Sequence, residues 1–385
     1  MLIIWDFRCV LKRARASPSR VFFFYVKVAP MNKKYKKVEI KNTPKSTIEV
    51  SVTVPAEVVS EYFTKQLKKL QESTELKGFR KGKAPENVIL REYGENFILN
   101  KAGEDIINDV YPTIVLEKKL KVIDRPIIKI TTLEKNKDFK FVATATVIPE
   151  FDLPDYKKLA QSIKLEKPET VTDKELQETL LHIRKQKARI DSFEKQKADG
   201  VEHPKVPTDI KDEDAPKLTD EFVQTLGEFK TVKDFEKKVR EDLLNEKQSQ
   251  TREKRRIQIA DKILEKTSME VPDVLIEAEL DRLWAQFESD IQNAGVSVDN
   301  YLKQAKQTQE ELRTKWRPDA EKRAKLQLIL NKIAKENSLL PDSEKVEHEL
   351  SHLMQAYPDA DRESARIYIE TMLLNEQVFE MLEKF

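Results

Sequence analysis

Gly78-Phe79-Arg80-Lys81-Gly82-Lys83-Ala84-Pro85 decides how this chain divides. Two glycines bracket an aromatic and two cations, Lys83 adds a third cation, and a proline closes the run. A glycine inside a helix costs about 1 kcal/mol relative to alanine, so the octapeptide is not helix interior. Val58, Val59, Tyr62, Phe63, Leu67 and Leu70 recur at helical spacing before it, and Pro85 is suited to open a helix after it. It therefore reads as a tight loop between helices, with Phe79, Arg80 and Lys81 at an exposed tip. A loop of this composition is ordinarily a solvated turn. A benzyl ring beside cations is also what a protein offers to a partner carrying phosphates and an apolar patch.

Outward from the loop, the pattern is α+β from Met31 to about Leu153. Ile48, Val50, Val52 and Val54 alternate with Glu49, Ser51 and Thr53, a half-buried strand, and Pro55 sits where a helix would begin. Beyond the loop, Gly94 is placed to close the helix that Pro85 opens. A further helical pattern runs from Phe97 to Val110, and Pro112 should bend or split it before Leu116. Two strands follow, around Val122–Thr132 and Phe139–Ile148, joined by the polar turn Glu134–Asp138. In the second, Phe139, Phe141, Ala143, Ala145 and Val147 share one face. The loop is thus mounted on helices packed against a small antiparallel sheet.

Glu175 to Ile190 is a helix candidate, and Ser192 to Lys217 reads as a linker, with Pro204, Pro207 and Pro216, mixed charge, and Phe193 as its only aromatic. From Leu218 to Phe385 one amphipathic helix follows another, and mutual burial is the ordinary meaning of such stripes. Pro272 starts one of these helices, and Pro318 implies a kink or a start within another.

Composition bounds what the chain can be. Its 385 residues are too many for one ordinary core, 36% are charged, and there are only 7 glycines, which favours long solvated helices. Net charge is +2, so no global attraction to polyanions exists, yet residues 31–100 carry 14 Lys and Arg against 9 Asp and Glu. The single cysteine, Cys9, excludes an internal disulfide and suits a reducing, cytoplasmic setting. No run approaches the roughly 18 apolar residues of a membrane helix. Residues 1–30 differ from the rest: Arg8, Lys12, Arg13, Arg15 and Arg20 interrupt their apolar clusters, which does not suit a secretory signal. They read as a disordered or non-native leader, with the natural start at Met31.

The octapeptide resembles the ribosome-docking motif of the trigger factor family of chaperones, and the order of flanking elements agrees from MNKKYKKVEI at Met31 onward. The resemblance implies a ribosome-binding domain over 31–153, a connecting helix and linker over 154–217, and a mostly helical C-terminal chaperone domain with arms over 218–385. It implies docking at the ribosomal exit tunnel, on a ribosomal protein and adjacent ribosomal RNA, through Gly78, Phe79, Arg80, Lys81, Gly82, Lys83 and Pro85. It also implies ATP-independent shielding of nascent polypeptides, and leaves open a homodimer off the ribosome. Phe222, Phe229, Trp284, Phe287 and Trp316 are the candidates for client contact. Most family members carry an FKBP-type prolyl isomerase domain of roughly a hundred residues after the connecting helix. Here Leu218-Thr219-Asp220-Glu221-Phe222 resembles the segment that follows that domain, so the chain is expected to lack it and its activity.

His348-Glu349-Leu350-Ser351-His352 satisfies the H-E-x-x-H pattern of zinc proteases, which sets two imidazoles on one helical face. Gln355 and Pro358 stand where a metzincin's glycine and third histidine would be, and charged Lys345 and Glu347 precede the motif. Solvated helix-face histidines are the expectation, with no metal. Gly78–Lys83 fails as a P-loop, since the glycines are one residue too close and Ala84 lacks a hydroxyl. His182 and His203 have no Ser–Asp partners in pattern, so no enzyme and no cofactor are expected. An RNA-binding protein, or a helical holdase unconnected with ribosomes, remains as the alternative reading.

Overall fold

The computed structural model describes residues 34–73, 79–80, 82–166, 170–199 and 210–385. The leader, Gly78, Lys81, His203, Pro204 and Pro207 lie outside the described residues.

Strands β1 (Lys37–Thr43), β2 (Thr47–Val54), β3 (Ile127–Thr132) and β4 (Phe139–Thr146) form an antiparallel sheet in the order β1-β2-β4-β3. The alternation of β2 and β4 puts Val50 opposite Ala143 and Val52 opposite Phe141. One face of both strands is thereby buried, the condition that fixes register. Against that face pack α1 (Ala56–Ser73), α2 (Glu86–Tyr93) and α3 (Glu95–Glu117), burying Tyr62, Leu67, Ile89, Ile98 and Ile106 in the same core. Gly103 of α3 lets Leu133 and Phe139 come close: a Cβ there would lie 2.9 Å from Leu133 Cδ2.

The structure differs from the sequence expectations in three places here. Strand β1 appears where none was anticipated. The strand expected from Val122 begins at Ile127, Val122 making only an isolated bridge to Val147. Pro112 lies inside α3 without splitting it. Burial of Val110, Tyr111 and Ile114 on both sides of it outweighs the one backbone bond that the ring forfeits. At the β3 edge Ile127 is 75% exposed, and the pairing with β4 shifts register between Ile130 and Thr132.

The helical remainder comprises α4 (Tyr156–Gln161), α5 (Asp173–Ala198), α6 (Asp220–Gln224), α7 (Val232–Lys266), α8 (Asp273–Asn293), α9 (Val298–Ala305), α10 (Gln309–Glu336), α11 (Ser343–Ala356) and α12 (Arg362–Glu383). Helix α5 runs past the expected end at Ile190, taking Phe193 out of the linker. Its start is a capping box between Thr172 and Glu175. A second capping box, Thr308 with Glu311, starts α10 nine residues before Pro318, which sits inside the helix rather than at its start.

By contacts the chain forms two compact units, one of Asp155–Ile263 with Met381–Phe385, the other of Leu264–Glu380 with the described residues up to Pro154. In the first, Leu176 and Leu180 of α5 pack with Val223, Phe235 and Val239. In the second, besides the sheet core, Val271, Ile276 and Leu280 pack with Ala320 and Ala324, and Val346 and Leu350 pack with Ala365 and Ile369.

Candidate docking loop and helical surface

Helix α1 is pinned to α3 by polar bonds at the edge of their shared core. Tyr62 donates its hydroxyl proton to Asp109 and Gln66 donates to Asp105, while Lys34 Nζ lies 2.6 Å from the Tyr62 oxygen. Burial, with the Asp109 carboxylate, pushes the Tyr62 phenol above its ordinary value, and Lys34 partly offsets this. The phenol therefore stays protonated and keeps donating.

From that mount the chain leaves at Ser73 and returns through a fixed base. Gln71 Nε2 donates to the Ala84 carbonyl at 2.5 Å, and Ala84 itself is buried in the sheet core. Lys83 N–H donates to the Arg80 carbonyl at 2.9 Å, a turn that Gly82 permits with φ of +81°. No heavy atom lies within 4 Å of where a Gly82 Cβ would be, so the backbone angle alone demands glycine. Pro85 then caps α2 with φ of −62°, and buried Ile89 anchors that helix. Phe79 is 38% exposed, and Arg80, Lys83 and Pro85 are exposed. Of the seven residues expected at the docking site, five are thus described, on a turn whose base is core and whose tip is solvent. Gly78 and Lys81 fall outside the described residues. This arrangement can offer an apolar ring together with two cations.

The client-contact candidates divide differently. Trp284 is 3% exposed and donates Nε1–H to Glu288 at 2.7 Å. Phe287 and Trp316 are half-buried around it, with ring centres 5.5 Å apart, and Tyr301 of α9 meets Phe287 edge-on at 5.3 Å. Phe222 and Phe229 pack against the α5–α7 core, Phe229 edge-on to Phe235 at 5.0 Å. Large apolar side chains that do stand in solvent in this helical part include Leu340, Ile367 and Met372, along with Val296, Tyr301 and Phe385, and helical periodicity alone did not single them out.

His348 and His352 are exposed on α11, and no cluster of three or more His, Cys, Asp or Glu able to hold a metal exists among the described residues. His182 of α5 lies 3.3 Å from Gln186 and borders a shallow groove of about 360 Å³ shared with Glu175 and Lys247. Glu175 is held down to about 2, chiefly by the Lys247 ammonium and also by the backbone and hydroxyl of Thr172. That pair is a helix cap and an interhelix tie. No helix among the described residues is long and apolar enough to cross a membrane.

Two family models match the chain: "Bacterial trigger factor protein (TF)" over residues 36–183 and "Bacterial trigger factor protein (TF) C-terminus" over 231–383. Among curated proteins, the trigger factor of Caldicellulosiruptor bescii is 28% identical, the match covering 83% of this chain and 88% of that one. That of Halalkalibacterium halodurans is 26% identical over 80% and 87%, and that of Clostridium kluyveri 24% identical over 91% and 98%. A solved structure described as "Promiscuous Substrate Recognition in Folding and Assembly Activities of the Trigger Factor Chaperone" superposes with a TM-score of 0.53 at 16% identity, covering 91% of this chain and 99% of that one. At that identity the likeness speaks for the fold alone.

Proposed function

This chain belongs to the trigger factor family of chaperones, and from that premise we propose that it docks at the ribosomal exit tunnel through residues 78–85 and shields apolar segments of emerging polypeptides without nucleotide and without prolyl isomerase activity. The observation that carries the docking role is the loop itself: a tip with Phe79 and Arg80 in solvent on a base tied by Gln71 and Ala84. Arg80 and Lys83 make charge-assisted contacts to carboxylates or phosphates, and Phe79 fills an apolar recess. Residues 31–153 then serve docking and residues 218–385 serve clients, and the reaction setting is the cytoplasm. Client segments gain about 25 cal/mol for each Å² of apolar surface removed from water.

The absence of isomerase activity rests on length. Between the two matched segments lie residues 184–230, that is 47 residues. Their described part is the end of α5, a short turn at Asp212–Asp214, and α6. No isomerase core of about a hundred residues fits in that span.

Ribosome co-sedimentation tests the docking role. Phe79→Ala, Arg80→Ala and Lys81→Ala together should abolish it with an unchanged melting temperature, and wild-type binding should weaken steeply between 50 and 200 mM salt on the order of counterion release. Undiminished binding of the triple variant sinks the proposal. Equal affinity for free RNA would favour a plain RNA-binding protein. A prolyl-limited refolding assay that the protein accelerates would sink the isomerase part alone.

A further inference from the structure

Helix α11 carries His348 and His352 one turn apart, on the face away from Val346 and Leu350, which are buried against α12. Their ring centres lie 4.5 Å apart at 43°. We propose that these two imidazoles form a surface chelate for a divalent late first-row transition ion, with Cu(II) and Ni(II) held ahead of Zn(II).

The spacing admits two ligands on one ion. An imidazole nitrogen binds such a metal at about 2.0–2.1 Å, which puts the ring centre about 3.2 Å from the ion. Two rings meeting at a right angle then have centres about 4.5 Å apart, and two meeting at the tetrahedral angle about 5.2 Å. The observed 4.5 Å matches the right-angle case, the adjacent positions of a tetragonal or octahedral ion. Zn(II), which prefers a tetrahedron, requires the rings to spread. The intrinsic order of affinities for nitrogen ligands runs the same way.

The pair is also mounted and oriented. Helix α11 starts at Asp342, whose carboxylate accepts from the Glu344 and Lys345 amides, and Glu347 is tied to Arg362 and Arg366 of α12. The backbone that sets the two rings is therefore fixed at both its start and its inner face. Glu349 Oε1 lies 3.4 Å from His348 Nδ1, an arrangement that orients the ring and leaves Nε2 for the ion. Since no third side-chain donor joins the pair among the described residues, the remaining coordination positions belong to water. Glu349 orients its neighbour here and has no hydrolytic role.

The chain has four histidines and one cysteine, so the background is low. Chelator-treated full-length protein without an added histidine tag should take up one Ni(II), and one Cu(II), per chain in calorimetric titration with the chlorides. Affinity should fall in the order Cu(II), Ni(II), Zn(II). His348→Ala and His352→Ala should each weaken binding at least about tenfold, because the second imidazole acts at high effective concentration, while His182→Ala leaves it unchanged. Both rings are exposed, so circular dichroism of the metal-free variants should match wild type. Electron spin resonance of the Cu(II) form should show coupling to two imidazole nitrogens, reduced to one in either variant. Equal affinities in wild type and the His348→Ala/His352→Ala double variant overturn the site, and Zn(II) binding tighter than Ni(II) overturns its right-angle geometry.

Discussion

Arg256 Nε donates to Glu383 Oε1 at 2.6 Å, with only 11% and 12% of the two side chains exposed. Arg252 adds three contacts to the same carboxylate, from Nε at 2.9 and 2.8 Å and from Nη2 at 2.5 Å, and Arg255 donates to the Glu383 carbonyl at 2.9 Å. The end of α12 is therefore clasped to α7 by three guanidinium groups. Burial works against ionisation of Glu383, but the Arg252 and Arg256 hydrogen bonds outweigh it and hold its carboxyl below the ordinary value.

Glu383→Gln should destabilise the clasped unit by about 2 kcal/mol or more, between the values of exposed and buried pairs. The sign with pH follows from the depressed carboxyl. Its contribution is complete above the ordinary carboxylate value near 4.5 and is lost as pH falls through the lower folded-state value. Melting temperatures of wild type and Glu383→Gln should thus differ at pH 7 and converge in acid. A constant gap across that range would mean that the charge is not what holds the clasp.

Glu279 is the opposite case. It is buried on α8, its Oε1 bonded to Arg282 and its Oε2 without a partner among the described residues. Burial pushes its carboxyl up, and Arg282 and Arg323 only partly pull it back. A carboxyl raised in the folded state costs stability once pH exceeds its unfolded value. Glu279→Gln should therefore raise stability at pH 7.5 by about 1–2 kcal/mol, the scale of one unsatisfied buried polar atom, with the gain vanishing in acid. A lower melting temperature at pH 7.5 would show that the arginines recover more than burial costs.

Gly103 makes a steric prediction. A Cβ would meet Leu133 Cδ2 at 2.9 Å and Phe139 Cζ at 3.7 Å. The leucine tip can rotate, so Gly103→Ala should cost little, its strain offset by the better helix propensity of alanine. Gly103→Val adds bulk that cannot turn away and should cost about 1–3 kcal/mol. Urea unfolding of the two variants checks the difference. Equal midpoints would mean that α3 simply moves off the sheet.

The parts of the fold that were legible are those where local chemistry and burial agree. Strand β2 could be read because Ile48, Val50, Val52 and Val54 all enter one core, and α2 because Pro85 and Gly94 mark its ends. Strand β1 could not, since Val38 and Ile40 sit at a sheet edge among Lys37, Glu39 and Lys41, and Ile40 stays 38% exposed. Pro112 does not split its helix and Pro318 does not start one for a shared reason: burial around the first and a capping box plus Ala320 around the second hold the helices through the proline. At the site, glycine and proline spacing revealed the loop. Which apolar side chains face solvent was opaque, because an amphipathic stripe has the same period whether its neighbours are protein or water. Only coordinates separate Trp284 in the core from Ile367 in solvent.

The register shift between Ile130 and Thr132 has a consequence for a molecule that works among unfolded chains. Strand β3 borders the sheet, and Ile127 stands 75% uncovered there. A straight, greasy border of that sort would zip onto any extended polypeptide. The offset spoils the evenly spaced row of donors and acceptors such zipping requires, and Lys129 sets a charge beside it. The offset and the charge work against such pairing in the domain proposed to sit nearest the newest protein in the cell.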